Sequence, residues 1–170
     1  SSPFYDARSS IESSSSNASS LEEKTRQWRN DAYFKNLYET AVFWGNKVMT
    51  MTGDSNDVLW LAQVHYNMGQ YVRAQNLIWN LIDSSVVCRF LAAKCCIKME
   101  KYQEVLDILG DENTFLDGDY SSVDKNTEGG ISLEASICYL RGVAYSQQSD
   151  LDNAKKWFKK ALEIDVKCFE

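Results

Sequence analysis

The stretch CYLRGVAYSQQSDLDNAKKWFKKALEIDVKCF, Cys138 to Phe169, carries the clearest structural pattern in the chain. Its apolar residues recur at helical spacing on both sides of a polar centre, which predicts two amphipathic helices joined by a short turn. Gly142 falls on the first helix, and Ala154 and Ala161 fall on the second. Such small residues, placed opposite a large one such as Phe158, allow two antiparallel helices to pack closely.

This arrangement is typical of the tetratricopeptide repeat, a helix-turn-helix unit of about 34 residues. One unit cannot bury its apolar face alone, so neighbouring repeats are expected. Three earlier segments share the spacing and place Ala41, Ala74 and Val105 where the last segment has Ala154. The first two steps equal about one repeat, and the third is longer by about half a repeat. The sequence therefore predicts an all-α fold, an α-solenoid of about four tetratricopeptide repeats.

The predicted repeat domain spans residues 21–170, with repeats at about 21–53, 55–84, 86–110 and 135–168. The extra length falls in 111–130, whose Gly, Asp, Ser and Asn content predicts a loop insertion. Residues 1–20 contain ten Ser and predict a disordered tail. Because no capping helix follows the last repeat, we expect the N-terminal part of a longer superhelix.

Individual residues predict where helices begin and end. Gly53 follows an apolar helix and suits a left-handed C-terminal cap, and Gly69 lies where the chain must reverse. Asp54 begins a cluster of N-cap residues. Ser149, with Asp152 three residues later, predicts a capping box at the start of the last helix.

The composition argues against several classes of function. The formal charge is −6 and no face forms a basic stripe, which argues against a nucleic-acid partner. No apolar run approaches the roughly 18 residues of a membrane span. The five cysteines include no C-x-x-C pair, so we expect reduced, buried thiols in an intracellular protein.

Catalytic and metal-binding patterns find no support either. His65 is the single histidine, and we expect it to be packed in the core or partly exposed. One His and scattered Cys do not form a tetrahedral metal site, and no phosphate-binding Gly-rich loop or catalytic constellation occurs. We therefore predict a protein that is not an enzyme and needs no metal or cofactor.

A binding groove is better supported. The first helix of each repeat lines the concave face of such arrays, and its predicted groove positions here are largely apolar and aromatic, which is typical of an interaction site. These positions are Leu59, Gln63, Tyr66, Phe90, Lys94, Tyr139 and Val143. Most of the five tryptophans are expected to fill the core between helices. Trp28 and Trp44 lie in the first repeat, which has no neighbour on its N-terminal side, so a second copy could cover them.

Five stretches together resemble the N-terminal repeats of the sixth subunit of the anaphase-promoting complex, or cyclosome. They are AVFWGNKV, DVLWLAQVHYNMGQYVRA, CRFLAAKC, SICYLRG and ALEIDVKCFE. The resemblance implies a non-catalytic scaffold in a multi-subunit ubiquitin ligase that acts in mitotic cell-cycle control. It also implies contacts with other subunits of that complex and a location in nucleus and cytoplasm.

The same resemblance implies a homodimer in which the first repeat of one copy enters the groove of the other. The inserted surface would comprise Leu21, Trp28, Tyr33 and Tyr38. The receiving surface would be the groove positions given above, from Leu59 to Val143.

Two alternatives remain open. A sister repeat subunit of the same complex would share these features. A co-chaperone module that holds a peptide carboxylate would need Lys, Arg and Asn on successive first helices. Arg26 and Asn30 match that pattern, whereas Trp60, Val87 and Leu91 do not.

Overall fold

The computed structural model describes residues 4–111 and 132–168, and side chains within 16–111 and 132–165. In these residues every regular element is helical, which confirms the predicted all-α fold. The helices are α1 (Phe4–Phe34), α2 (Tyr38–Thr52), α3 (Ser55–Asn67), α4 (Tyr71–Ile78), α5 (Val86–Lys98), α6 (Tyr102–Leu109), α7 (Leu133–Gln147) and α8 (Leu151–Cys168). A 3-10 turn, Trp79–Leu81, follows α4.

The chain forms two compact units, Ser1–Met68 and Gly69–Glu170. In the first unit, α1 packs on α2 and α2 packs on α3, around a core that includes Ala32, Ala41 and Val64. In the second unit, α5 and α6 pack with α7, and α7 packs on α8. Its largest core cluster includes Val105, Ile137 and Ala144, and a smaller one surrounds Trp157.

One backbone conformation recurs at the turn inside each helix pair. A single residue there has a positive φ, and the residue five positions later is buried, which is the register predicted from Ala41, Ala74, Val105 and Ala154. The four turn residues are Asn36 (58°), Gly69 (78°), Glu100 (58°) and Ser149 (63°). In three of these turns the next amide donates to a carbonyl of the preceding helix at 2.9 Å. Gly69 adopts this conformation without strain, whereas the other three residues carry a Cβ that disfavours it.

The helix caps agree with the sequence at two places and differ at a third. Gly53 has φ 61° and donates its amide to Met49 O, as predicted for a left-handed cap. Asp54 caps α3 and accepts from the amide of Asn56 at 2.8 Å. Ser149 is not the N-cap of α8, because its left-handed backbone belongs to the preceding turn. Asp150 caps α8 and accepts from the amide of Asn153 at 3.2 Å.

The structure includes part of the predicted N-terminal tail in a helix. Helix α1 begins at Phe4, so it contains residues 4–20 of the stretch predicted from composition as a disordered tail. Adding residues to an existing helix is far easier than nucleating one, and Ser lowers helix stability only modestly. Residues 1–3 lie outside the described residues, and so does the predicted loop insertion 111–130 apart from Asp111.

Glycine allows a close approach of two helices in the second unit. A Cβ on Gly142 of α7 would lie 2.5 Å from Phe158 Cδ1 of α8, well inside ordinary contact distance. Ala154 and Ala161 of α8 are buried in the same unit. The interpretation of these small residues as close-packing positions is therefore confirmed.

Candidate functional site

The first unit exposes a continuous group of large apolar side chains on α1, α2 and their connection. We call Trp28, Leu37, Phe43 and Trp44 the aromatic patch. The rings of Trp28 and Trp44 lie 4.8 Å apart, and those of Phe43 and Trp44 lie 5.0 Å apart. Trp28, Leu37 and Trp44 also line a shallow cavity of about 330 Å³, together with Asp31 and Lys35 among others. Exposed apolar groups of this kind are typical of interaction sites.

The residues predicted for the inserted surface divide into two groups. Leu21 and Trp28 are about half-exposed on α1. Tyr33 and Tyr38 are half-buried and pack against the core, with their rings 5.8 Å apart. Asn67 also donates to the Tyr33 hydroxyl oxygen at 2.7 Å. Only the first two residues are therefore presented mainly to solvent in this structure.

Sequence reasoning missed Leu37 and Phe43 as members of the exposed group. Neither residue was assigned to an interaction surface from the sequence, because spacing alone does not say whether a neighbouring element covers an apolar side chain. The adjacent pair Phe43-Trp44 was the available signal, since consecutive side chains on a helix point about 100° apart and cannot both lie at the centre of one buried face.

A buried carboxylate joins the three helices of the first unit. Asp57 of α3 accepts two hydrogen bonds from Arg26 of α1, at 3.3 Å from Nε and 2.8 Å from Nη2. Thr52 Oγ1 of α2 donates to the same carboxylate at 2.6 Å. Arg29 Nη1 of α1 forms an ion pair with Asp57 Oδ1 at 2.8 Å, and its guanidinium lies 4.5 Å from the ring centre of Trp60. We call Arg26, Arg29, Thr52 and Asp57 the Asp57 clamp.

The electrostatics of the clamp follow from burial and charge together. Burial by itself raises the pKa of Asp57, but the hydrogen bonds of Arg26 and Thr52 and the charge of Arg29 lower that pKa to about 2. Burial lowers the pKa of Arg29. The Arg29 contact is an ion pair without hydrogen-bond alignment, because its Nε and Nη1 atoms have no hydrogen-bond partner within the described residues. The buried cation thus depends on one carboxylate.

The clamp also bears on the peptide-carboxylate alternative. That function needs Arg26 free to bind a ligand carboxylate, and in this structure Arg26 donates to Asp57 from both Nε and Nη2. A buried internal carboxylate already occupies the position of the required ligand. The geometry therefore favours a structural role for Arg26.

The second unit contains an apolar cavity of about 550 Å³ between α5, α7 and α8. It is lined by Phe90, Lys94, Ala135, Ser136, Tyr139, Leu140, Phe158, Ala161, Leu162 and Asp165. Lys94 Nζ lies 5.1 Å from the Phe90 ring centre, and burial lowers the pKa of this ammonium. Tyr139 is 56% exposed, and its ring lies 5.6 Å from that of Phe158. The exposed Tyr139 ring therefore forms an aromatic edge of the cavity that a partner could contact.

Three of the predicted groove residues, Phe90, Lys94 and Tyr139, come together at this cavity. Val143 is half-buried on α7 and is not part of its lining. The remaining groove residues lie on α3 in the first unit, with Gln63 exposed and Leu59 and Tyr66 half-buried. Sequence reasoning missed Phe158 and Leu162, because it placed only first-helix residues in the groove.

Trp157 of α8 packs against the guanidinium of Arg141. It is buried, and the guanidinium of Arg141 lies 4.5 Å from its ring centre. Arg141 is fully buried and donates to the carbonyl oxygens of Leu109 and Gly110 at 3.0 Å, which fixes the end of α6 against α7.

The prediction that most tryptophans fill the core is wrong. Trp157 is buried, Trp44 and Trp60 are half-buried, and Trp28 and Trp79 are exposed.

The titratable groups offer little for catalysis. Cys88, Cys95, Cys96 and Cys138 are buried free thiols, as predicted, and burial raises the pKa of Cys95 to about 11. His65 is buried in α3. Within residues 4–111 and 132–168, no three His, Cys, Asp or Glu residues are grouped as metal ligands. None of the described helices combines the length and apolarity needed to cross a membrane.

Two family models match the chain. The model for the anaphase-promoting complex, cyclosome, subunit 3, matches residues 35–112. The tetratricopeptide repeat model matches residues 135–168, the range predicted for the fourth repeat.

Several proteins named as subunits of the anaphase-promoting complex are similar to this chain in sequence. The anaphase-promoting complex subunit cut9 of Schizosaccharomyces pombe is 44% identical over 89% of this chain and 23% of its own length. Anaphase-promoting complex subunit 6 of Arabidopsis thaliana is 31% identical over 87% of this chain and 29% of its own length. The crystal structure of the APC/C hetero-tetramer Cut9-Hcn1 matches with a TM-score of 0.73 and 42% identity, over 87% of this chain and 27% of that chain.

These matches confirm the resemblance inferred from the sequence motifs. The chain spans about a quarter of the length of the relatives it matches. Similarity extends through both compact units, since the matched segments cover nearly nine-tenths of the chain.

Proposed function

We propose that this chain, a tetratricopeptide-repeat homologue of the Cut9 and subunit 6 proteins of the anaphase-promoting complex, is a non-catalytic scaffold of such a complex that pairs with a second copy of itself. The observation that carries the proposal is the match to Cut9 in sequence and in structure through both units. By this proposal the chain acts in mitotic cell-cycle control, contacts other subunits of the complex, and works in nucleus and cytoplasm.

The geometry supports pairing because two complementary surfaces are available. The aromatic patch and Leu21 supply exposed apolar side chains on the first unit. The cavity of the second unit supplies an apolar, aromatic recess of about 550 Å³. Burying large aromatic side chains in a preformed recess is the usual way that a protein interface gains most of its affinity. In the proposed dimer, Trp28 of one copy is covered by the groove of the other.

Mass in solution tests this function directly. Multi-angle light scattering over a range of micromolar concentrations should give the mass of two chains. A mass of one chain, 19.4 kDa, at every concentration would reject the pairing. Such a result would leave the scaffold assignment to be tested by co-purification with the complex.

Point variants then test which surfaces are involved. Trp28→Ala should weaken pairing by about tenfold or more, because aromatic anchors commonly contribute at least 1.4 kcal/mol. Trp79→Ala is the matched control, since Trp79 is 48% exposed and Trp28 is 46% exposed. Tyr139→Ala tests the receiving groove in the same way. Equal dimer affinity in all three variants would place the interface elsewhere.

A sister repeat subunit is the second candidate, because the matching family model describes subunit 3 of the same complex. Chain exchange separates the two assignments. Labelled chain should form mixed dimers with the N-terminal region of Cut9 if it is of the subunit 6 type. Exchange only with the corresponding region of a subunit 3 protein would favour the sister assignment.

A further inference from the structure

We propose that the Asp57 clamp is a positioning device that holds α1 in the orientation required for pairing. The inference rests on the proposed function, because it concerns the surface that α1 presents to a second copy. Arg26 lies between Leu21 and Trp28 on α1, so the clamp fixes the helix within the stretch that carries both exposed residues.

The first step is the directionality of the clamp. Both carboxylate oxygens of Asp57 are engaged, Oδ1 by Arg26 Nε and Arg29 Nη1, and Oδ2 by Arg26 Nη2 and Thr52 Oγ1. A two-point guanidinium–carboxylate contact restricts orientation as well as distance. Apolar packing alone tolerates sliding and rotation much better, since hydrophobic attraction is non-directional.

The second step is burial. The side chain of Asp57 is 3% exposed and that of Arg29 is 8% exposed, so these two charges have little access to water. A buried charge that loses its partner is strongly destabilising, so α1 cannot shift away from α3 while Arg29 remains in place. Thr52, at the last position of α2, ties the third helix of the unit to the same carboxylate.

The third step is the position of the arginines on α1. Arg26 and Arg29 lie three positions apart and face α3, and Trp28 is turned toward Trp44 on α2. A rotation of α1 that broke the arginine contacts would also move Trp28 off Trp44. The orientation of the aromatic patch is therefore coupled to the clamp.

The test uses Arg26, whose side chain is 38% exposed, so that its replacement leaves the buried Arg29–Asp57 pair intact. Arg26→Gln removes the two-point contact, and Lys24→Gln on the same helix is the matched control with the same change in charge. Dimer dissociation is measured by sedimentation, and the protection of α1 amides by hydrogen exchange. We expect Arg26→Gln to raise the dissociation constant about tenfold and to speed exchange in α1, with no change in α6 of the second unit, which does not line the groove.

Arg26→Lys separates positioning from charge alone. Lysine keeps the positive charge but cannot form the two-point contact. We expect Arg26→Lys to recover the thermal stability of the wild type while dimerisation stays weak and α1 exchange stays fast. Recovery of both dimerisation and α1 protection by lysine would overturn the inference, as would unchanged values in Arg26→Gln.

The design distinguishes this inference from the proposed function. A wild-type chain that is monomeric at all concentrations rejects the pairing, and α1 protection in Arg26→Gln then decides the clamp's role on its own. A wild-type dimer whose affinity is insensitive to Arg26 retains the proposed function and rejects the clamp as its positioning device.

Discussion

Acid should remove a measurable part of the first unit's stability through Asp57. The folded-state pKa of Asp57 is about 2, against an ordinary value of 3.8. That difference corresponds to about 2.5 kcal/mol of stability, at about 1.4 kcal/mol per pKa unit. Because the folded-state pKa is lowered, this stability is present above about pH 4 and is lost as the pH falls through about 2.

The substitution Asp57→Asn isolates this contribution from the titration of other carboxylates. At pH 7 the variant leaves the buried Arg29 guanidinium without its counter-charge, and losses of about 3–5 kcal/mol are usual for such a change. At pH 2, close to its folded-state pKa, the wild-type carboxyl is about half protonated in the folded protein and has lost most of its advantage over the amide. The stability gap between the two proteins should therefore narrow by about 2 kcal/mol between pH 7 and pH 2.

Urea unfolding at a fixed protein concentration, followed by tryptophan fluorescence, measures both free energies at each pH. Three tryptophans, at 28, 44 and 60, lie in the first unit and report its unfolding. Thr52→Val provides a milder variant, with an expected loss of about 1 kcal/mol, should Asp57→Asn fail to fold. A gap that stays constant from pH 7 to pH 2 would show that the clamp does not hold Asp57 in its charged form.

Three further predictions concern the second unit. Gly142→Ala should lower thermal stability by about 1 kcal/mol, because a Cβ there meets Phe158 Cδ1 at 2.5 Å and overpacking outweighs the gain in helix propensity; an unchanged melting temperature would mean that the ring moves aside freely. Arg141→Lys should lower the melting temperature by several degrees, because lysine cannot reproduce the two bonds from Arg141 to the end of α6; a wild-type melting curve would contradict this. Cys95 should resist alkylation at pH 7 until the protein unfolds, because burial holds its pKa near 11; labelling at the rate of a free thiol would contradict it.

The register of the repeats could be derived from the sequence because small buried residues recur at a fixed offset. Ala41, Ala74 and Val105 are fully buried, as their equivalence with Ala154 requires. The turn residues preceding them could not be derived in the same way. Asn36 and Glu100 adopt the left-handed backbone that Gly69 adopts, although local propensity favours Gly there. The packing of the flanking helices outweighs that local preference.

The Asp57 clamp was beyond sequence reasoning for a related reason. Asp57 lies in a cluster of N-cap residues, and a capping role accounted for it locally. Its actual partners, Arg26 and Arg29, lie about a full repeat earlier, and no helical or strand period connects the three positions. Two charged residues this far apart in the sequence can be recognised as a pair only after the helices that carry them have been placed in the fold. Phe90 and Tyr139, which line the cavity of the second unit, could be selected from the sequence because each falls on the first helix of a repeat.

Exposure by itself is weak evidence for an interface, and the comparison of two tryptophans shows what adds to it. Trp28 and Trp79 are almost equally exposed, and single exposed apolar residues are common on protein surfaces. Trp28 differs because its ring contacts Trp44, and Trp44 contacts Phe43, so the exposed area is continuous. The clamp holds that area in place with buried, hydrogen-bonded charges, which restrict orientation in a way that non-directional apolar packing does not. A surface that is both continuous and rigidly oriented lowers the entropy lost on association, which is the property a pairing surface requires.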